Sequence, residues 1–364
     1  MFFKQYKHGG DVVGAARAFN LSLRDILDFS ANINPLGPSP AALAAIKENL
    51  EIIRHYPDPF CRDLRRALSS YLAVPPECLL PGNGVSELIY LITRVVGCRR
   101  ALVTAPTFTE YAEAVTAAGG EVREVPLREE EGFALSPVRL KKEMPGADMV
   151  FICNPNNPTG RVEKKSVVRS IIEAARETGQ MLVVDEAFID FVEKREQHTI
   201  LPLVEKYQHL VILYSLTKFF GIPGLRLGVL IAAPAIVARL EAARDPWSVN
   251  WLAQVAGEAA LSDGEYVKAT RDLIAREREY LFRSIAQVPN LRPFPTDANY
   301  LLVKITDQHM SSPVFAAETA KRGVLVRDCS TFSGLGENYI RVAVKTRKEN
   351  VKLLNVLSEI MKGA

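Results

Sequence analysis

From about residue 80 to residue 235, short apolar runs alternate with longer stretches whose apolar positions recur every three or four residues. The runs are "ALVT" (101–104), "MVFIC" (149–153), "MLVVD" (181–185), "LVILY" (210–214) and "GVLIA" (228–232). Each is apolar throughout, which suits strands covered on both faces. Between them, "VSELIYLITRVV" and "KKSVVRSIIEAARETG" carry helical periodicity. Strand–helix alternation of this kind predicts an α/β fold with a mainly parallel sheet flanked by helices. After Pro246 the pattern changes. A helical stretch over roughly 248–287 breaks near "SDGE", followed by "NYLLVKI" (strand), "SPVFAAETAKRG" (helix), "VLVRD" and "YIRVAV" (strands) and a terminal helix. This α+β order predicts a smaller C-terminal domain. The expected division is an arm with one short helix over 1–40, a large domain over 41–245 and a small one over 246–364.

Composition narrows the function. The 45 basic and 42 acidic residues nearly cancel, and no dense basic block stands out, so neither nucleic acid nor a membrane surface is an expected partner. Five scattered cysteines form no C-x-x-C pair, as expected of idle thiols in a reducing cytoplasm. The five histidines show no metal-ligand spacing, so no metal is expected. The N-terminus lacks the apolar stretch of a signal peptide, and no apolar run is long enough to span a bilayer. A cytoplasmic location follows as the expectation.

In open parallel sheets, ligands bind beyond the carboxyl ends of the strands. Four such ends here are polar: "NPNNPTG" (154–160), Asp185-Glu186, Ser215-Leu-Thr-Lys218 and the Gly82-Asn83-Gly84 turn. Singly each has an ordinary explanation, as a strand stop, a helix cap or a solvated lysine. Together they describe one chemistry. A glycine turn entering a helix offers backbone N–H groups to a phosphate. Ser215 and Arg226 would add donors to the same phosphate. Lys218 in such a cationic pocket would favour its neutral amine and form a Schiff base with an aldehyde. Asp185 would pair with a protonated ring nitrogen, Asn157 with a ring hydroxyl, and Phe108 would stack on the ring face. The cofactor with these parts is pyridoxal 5'-phosphate.

The motifs "NPNNPTG", "DEAF", "SLTKFFGIPGLRLG" and "YIRVAV" resemble fold-type I pyridoxal-phosphate enzymes of the aspartate aminotransferase superfamily. Within it the chain resembles histidinol-phosphate aminotransferases and, more closely, L-threonine-O-3-phosphate decarboxylases of cobalamin biosynthesis. The closer likeness lies in "HGG" (8–10), "DFSANINPLGPSP" (28–40), "RHYPDP" (54–59), "DEAFIDF" (185–191) and "PWSVN" (246–250). The resemblance implies that Lys218 is the Schiff-base lysine and proton carrier. It adds Val85 and Ser86, with Gly84, to the phosphate cradle. It implies that Tyr56 reaches the cofactor phosphate of a neighbouring subunit, hence a homodimer with shared active sites. It assigns Arg341 to a substrate carboxylate and Arg327 to the phosphate-substrate branch, with His8, Gly9 and Asn32 of the arm also contacting substrate. The implied substrate is a small phosphorylated amino acid, and the implied product is (R)-1-amino-2-propanol O-2-phosphate for the cobalamin nucleotide loop. Phosphothreonine carries two anions, so two cationic anchors make sense. The alternation in "YIRVAV" alone would equally permit solvent-facing arginines, and Tyr56 could be a packing residue.

Phe188 departs from most of the superfamily, which has tyrosine there; the decarboxylase relatives share "DEAF". The runner-up function is a histidinol-phosphate-type aminotransferase, which uses the same parts on the Cα–H bond. Two readings from other classes are weaker. "SLTK" fits the S-x-x-K motif of serine acyl-enzymes, but "SDN" is missing and only "KTR" stands at 345–347. A regulator built on a dead cofactor module would need a DNA-binding segment, for which the pattern leaves no room.

Overall fold

The computed structural model describes residues 8–363. Its main sheet has seven strands in the spatial order Leu79–Gly82, Gly228–Ala232, Leu210–Ser215, Met181–Asp185, Met149–Cys153, Arg100–Ala105 and Glu121–Pro126. Neighbours are parallel except Gly228–Ala232, which runs antiparallel to both of its partners. The apolar runs are strands because both faces are buried. Val150, Ile152, Leu182, Val184, Leu210 and Ile212 pack into one core. Their neighbours Met149, Phe151, Cys153, Val183, Val211 and Leu213 pack into another on the opposite face. Side chains alternate between faces along a strand, so a strand buried twice must be apolar at every position. Helix Gly84–Val96 covers the second face through Leu88, Ile89, Leu91 and Ile92, and Lys165–Thr178 covers the first through Val168, Ile171 and Ile172. Full burial of each such side chain contributes about 1.5–3 kcal/mol.

Glu121–Pro126 was not expected as a strand. It is an edge strand with exposed charges, and its only fully buried residue is Val125. Charge and proline protect a sheet edge and remove the apolar signal that marks the central strands.

A second, four-stranded antiparallel sheet runs Arg327–Asp328, Tyr339–Ala343, Tyr300–Ile305, Leu291–Pro293. Here "VLVRD", expected as one strand, is divided. Val324–Leu325 pairs in parallel with Leu27–Asp28 of the arm, and Arg327–Asp328 turns into the antiparallel sheet. The division exists because the arm supplies a partner that local pattern cannot show. Besides the helix Val12–Phe19, the arm therefore contributes a strand. The expected helical break is present, between Trp251–Leu261 and Gly264–Ile285, where Asp263 caps the second helix by accepting from the Tyr266 N–H at 3.1 Å. Among the described residues, no helix is long and apolar enough to cross a membrane.

Candidate active site

The carboxyl ends of the parallel strands converge on one cavity. Asp185 and Ser215 are the last residues of their strands, while Asn157, Phe108 and the Gly84 turn follow directly on theirs. Val85, Ser86, Phe108, Asn157, Asp185, Ser215, Lys218 and Arg226 line the same pocket. Lys218 lies on a single helical turn, Leu216–Phe219, that continues from Ser215. The arm grips this turn from outside. Asn34 N–H donates to the Lys218 carbonyl at 3.0 Å, and its side-chain amide donates to the Phe219 carbonyl at 2.8 Å.

Burial of Lys218 and the nearby Arg226 pull its pKa down to about 8, with Asp185 opposing and Arg341 assisting. About a tenth of the amine is thus neutral at pH 7, far more than at the ordinary lysine pKa, which favours a nucleophile and proton carrier. Arg226 returns to the pocket because the Pro223–Leu225 turn ends with Arg226 at φ 60°, an unusual conformation for a residue with a side chain. Its guanidinium lies over Gly84. A Cβ at Gly84 would sit 2.6 Å from Arg226 Nη2, and the residue has φ +81°. Only glycine lets the guanidinium come this close to the first turn of helix Gly84–Val96, where free backbone N–H groups make an anion-binding geometry.

Asp185 is 3% exposed, and burial pushes its carboxyl up from the usual range. Tyr111 and the Ala187 N–H oppose that shift with hydrogen bonds of 2.6 and 2.8 Å, and the charge of Lys218 assists them. A buried carboxylate beside a phosphate cradle and a depressed lysine is the donor set of a pyridinium aldehyde phosphate. The residues present fit pyridoxal 5'-phosphate.

A larger cleft of about 650 Å³ opens from this pocket toward the arm and the small sheet. His8, Gly9 and Asn32 line it, as do Arg327 and Arg341. Both arginines are buried, which excludes the solvent-facing reading. They are Cα partners across adjacent strands, so their side chains share one face. Arg341 donates to the Asn157 side-chain oxygen and, at 2.7 Å, to the Ser30 carbonyl. Arg327 donates to Thr331 Oγ1 at 2.8 Å and lies 5.2 Å from the Phe332 ring centroid. Burial lowers the Arg341 pKa to about 10 and lowers that of Arg327. His8 Nε2 sits 2.8 Å from Glu110 Oε1. Gly9 passes so close to Ser30 that a Cβ would lie 2.0 Å from the Ser30 carbonyl oxygen.

Tyr56 stands apart from the others. It is 76% exposed and stacked on Trp247, outside the cleft of its own chain. Sequence reasoning missed Thr217, Tyr111 and Asn34. Thr217 Oγ1 lies 2.8 Å from Ser215 Oγ and accepts from Lys218 Nζ at 3.2 Å. Its place between Ser215 and Lys218 was a usable signal. Tyr111 carries only the signal of lying one helical turn beyond Phe108.

Comparison with known proteins agrees with this geometry. Residues 24–357 match the family described as aminotransferase class I and II. A threonine-phosphate decarboxylase from Salmonella typhimurium is 36% identical over 98% of this chain and 97% of its own length. A histidinol-phosphate aminotransferase from Methanopyrus kandleri is 33% identical over 95% of this chain and 91% of its own. The solved histidinol-phosphate aminotransferase of Sinorhizobium meliloti, a complex with pyridoxal-5'-phosphate, superposes with a TM-score of 0.87 at 23% identity. The match covers 99% of this chain and 96% of that one.

Proposed function

The chain belongs to the aminotransferase class I and II family and is a pyridoxal-phosphate enzyme, and from that premise we propose that it decarboxylates L-threonine O-3-phosphate. The product is (R)-1-amino-2-propanol O-2-phosphate, the linker of the cobalamin nucleotide loop. Bound in the pocket, the cofactor supplies an electron sink for the pair left at Cα when CO2 departs. This chain's residues do the rest. Gly84, Val85, Ser86, Ser215, Thr217 and Arg226 would hold the phosphate, Asp185 would meet the ring nitrogen, Asn157 the ring hydroxyl, and Phe108 would cover the ring. Arg341 and Arg327, assisted by His8, Gly9 and Asn32, hold the substrate's two anions. By holding both ends of the substrate they would select the Cα–carboxylate bond as the one that breaks. Lys218, in the ammonium form it gains by taking up a proton from the incoming substrate amine, would deliver that proton to Cα in place of the departed CO2.

One observation carries the choice of reaction. Two buried guanidiniums line the cleft beside Lys218. Phosphothreonine brings a carboxylate and a phosphate to them at once. Histidinol phosphate has no carboxylate and would match one at a time, the other guanidinium serving only the keto acid of the second half-reaction. The aminotransferase remains the second reading, because relatives of that name are also above 30% identity.

The test is to supply protein and pyridoxal phosphate with L-threonine O-3-phosphate, without a keto acid, and to follow CO2. Sustained multiple-turnover release supports the decarboxylase. Absence of CO2, with histidinol phosphate converting the cofactor to its amine form, would establish the aminotransferase instead.

The reading includes a homodimer with shared sites, in which Tyr56 serves the neighbouring cofactor phosphate. It is supported by the exposed Ile53, Tyr56, Phe60 and Trp247, and by the 2.8 Å bond from Trp251 Nε1 that fixes the Tyr56 carbonyl. Mixing Lys218→Ala with Tyr56→Phe protein should raise activity above either parent, since one site of each mixed dimer is then intact. No recovery after verified subunit exchange would remove Tyr56 from the site.

A further inference from the structure

We propose that Tyr111 is a positioning residue for the cofactor, its hydroxyl holding Asp185 in the form and orientation that keep a proton on the ring nitrogen. The inference rests on the cofactor assignment, not on the choice between decarboxylation and transamination.

The geometry behind Asp185 carries it. The carboxylate is buried at the end of its strand, and its two oxygens have different donors. The Ala187 N–H serves Oδ1 at 2.8 Å, and the Tyr111 hydroxyl serves Oδ2 at 2.6 Å. Tyr111 is itself fully buried. It stacks on Phe151 with centroids 5.2 Å apart and planes at 14°. It meets Phe108 edge-on at 5.6 Å and 84°. The ring is clamped from two sides, so the hydroxyl points at one place. Phe108 lines the cofactor pocket, so one tyrosine braces both the ring-covering residue and the carboxylate.

A buried carboxylate is stabilised chiefly by the hydrogen bonds it accepts. Deprived of Tyr111, Asp185 would retain one backbone donor and become more basic. The proton between it and the ring nitrogen would then move toward the carboxylate, and a neutral ring is a weaker electron sink. Tyr111 remains a donor throughout, because burial and the adjacent carboxylate push its pKa far up.

The test is cofactor affinity, not turnover. Wild-type and Tyr111→Phe apoprotein are titrated with pyridoxal phosphate and with its 1-deaza analogue, in which C–H replaces the ring nitrogen. The substitution is expected to weaken pyridoxal phosphate about tenfold, the cost of one charge-assisted hydrogen bond. The analogue, which has no ring nitrogen to share a proton, should bind both proteins alike. Equal weakening of both ligands would show that Tyr111 merely packs and would overturn the inference. Undiminished affinity for pyridoxal phosphate in the variant would also overturn it. With ring-15N cofactor bound, the nitrogen resonance should move toward neutral pyridine in Tyr111→Phe; an unmoved resonance counts against it. Wild-type protein that binds neither ligand would overturn the cofactor assignment itself, a result distinct from the other outcomes.

Discussion

Arg327 and Arg341 stand opposite each other across two antiparallel strands, both buried and both on the wall of the cleft that reaches Lys218. Like charges opposed across a sheet are destabilising, and burial depresses the pKa of each. The arrangement costs stability and makes sense as a site prepared for two anions.

Replacing Arg327 by methionine should therefore make the free protein more stable, by about 1 kcal/mol, while weakening substrate binding. Thermal unfolding of the apoprotein and KM for phosphothreonine measure the two effects. A variant that is less stable than wild type would contradict this account of the pair.

Arg341→Lys keeps the charge and loses the planar fork that reaches Asn157 and Ser30. KM should rise roughly 10- to 100-fold, as expected for one or two charge-assisted hydrogen bonds. Cofactor affinity should fall much less, because Arg341 reaches the cofactor pocket only through Asn157. A comparable loss of cofactor affinity would place Arg341 in the wrong pocket.

Lys218 gives a pH signature. Its pKa is about 8 in the folded chain against an ordinary 10.5. Below pH 8 both states carry the proton, and the folded state bears the full penalty of a buried charge. Between 8 and 10.5 the unfolded state binds more protons, so stability rises with pH. Lys218→Met apoprotein should then be more stable than wild type below pH 8, by about 3 kcal/mol, with the difference shrinking toward pH 10.5. Denaturant titrations at several pH values measure it. The rate at which apoprotein captures pyridoxal phosphate should likewise climb with pH and level off above about 8. A flat profile would mean that the lysine is not depressed.

Gly84→Ala places a methyl against Arg226 at φ +81°. The strained backbone should cost about 1–2 kcal/mol of stability, and the displaced guanidinium should weaken cofactor binding. Equilibrium dialysis of the cofactor and the melting temperature report these separately. Unchanged cofactor affinity would mean that the Gly84–Arg226 approach is incidental.

Thr217→Val removes the hydroxyl between Ser215 and Lys218 at nearly constant shape. Cofactor affinity should fall roughly tenfold, the cost of about one hydrogen bond to a charged group. Full affinity would assign Thr217 to the strand-to-helix turn alone.

The central strands were legible because burial on both faces demands apolar residues at every position, and the shortness of the runs separates them from buried helices. Lys218, Asp185, Asn157 and Ser215 were legible because each ends or follows an apolar run, and the ends of parallel strands meet in space; Arg226 was legible because it precedes the next run, Gly228–Ala232. What sequence left open depended on partners distant along the chain. "VLVRD" reads as one strand until Leu27–Asp28 takes half of it. The edge strand Glu121–Pro126 was hidden because its function at the edge is to be polar. Arg327 and Arg341 read equally well as surface residues until their register across the small sheet buries them together. Tyr111 carries no motif, since a residue that acts through a carboxylate 74 positions away is marked only by contact. Pattern and motif thus determined the layers of the fold and the residues that line the strand-end pocket, because both arise from local periodicity and strand ends. Tertiary structure alone decided that Arg327 and Arg341 are buried on one cleft wall, what holds Asp185 and how the arm pairs with Val324–Leu325, because those relations are set by packing between segments that are not neighbours in sequence.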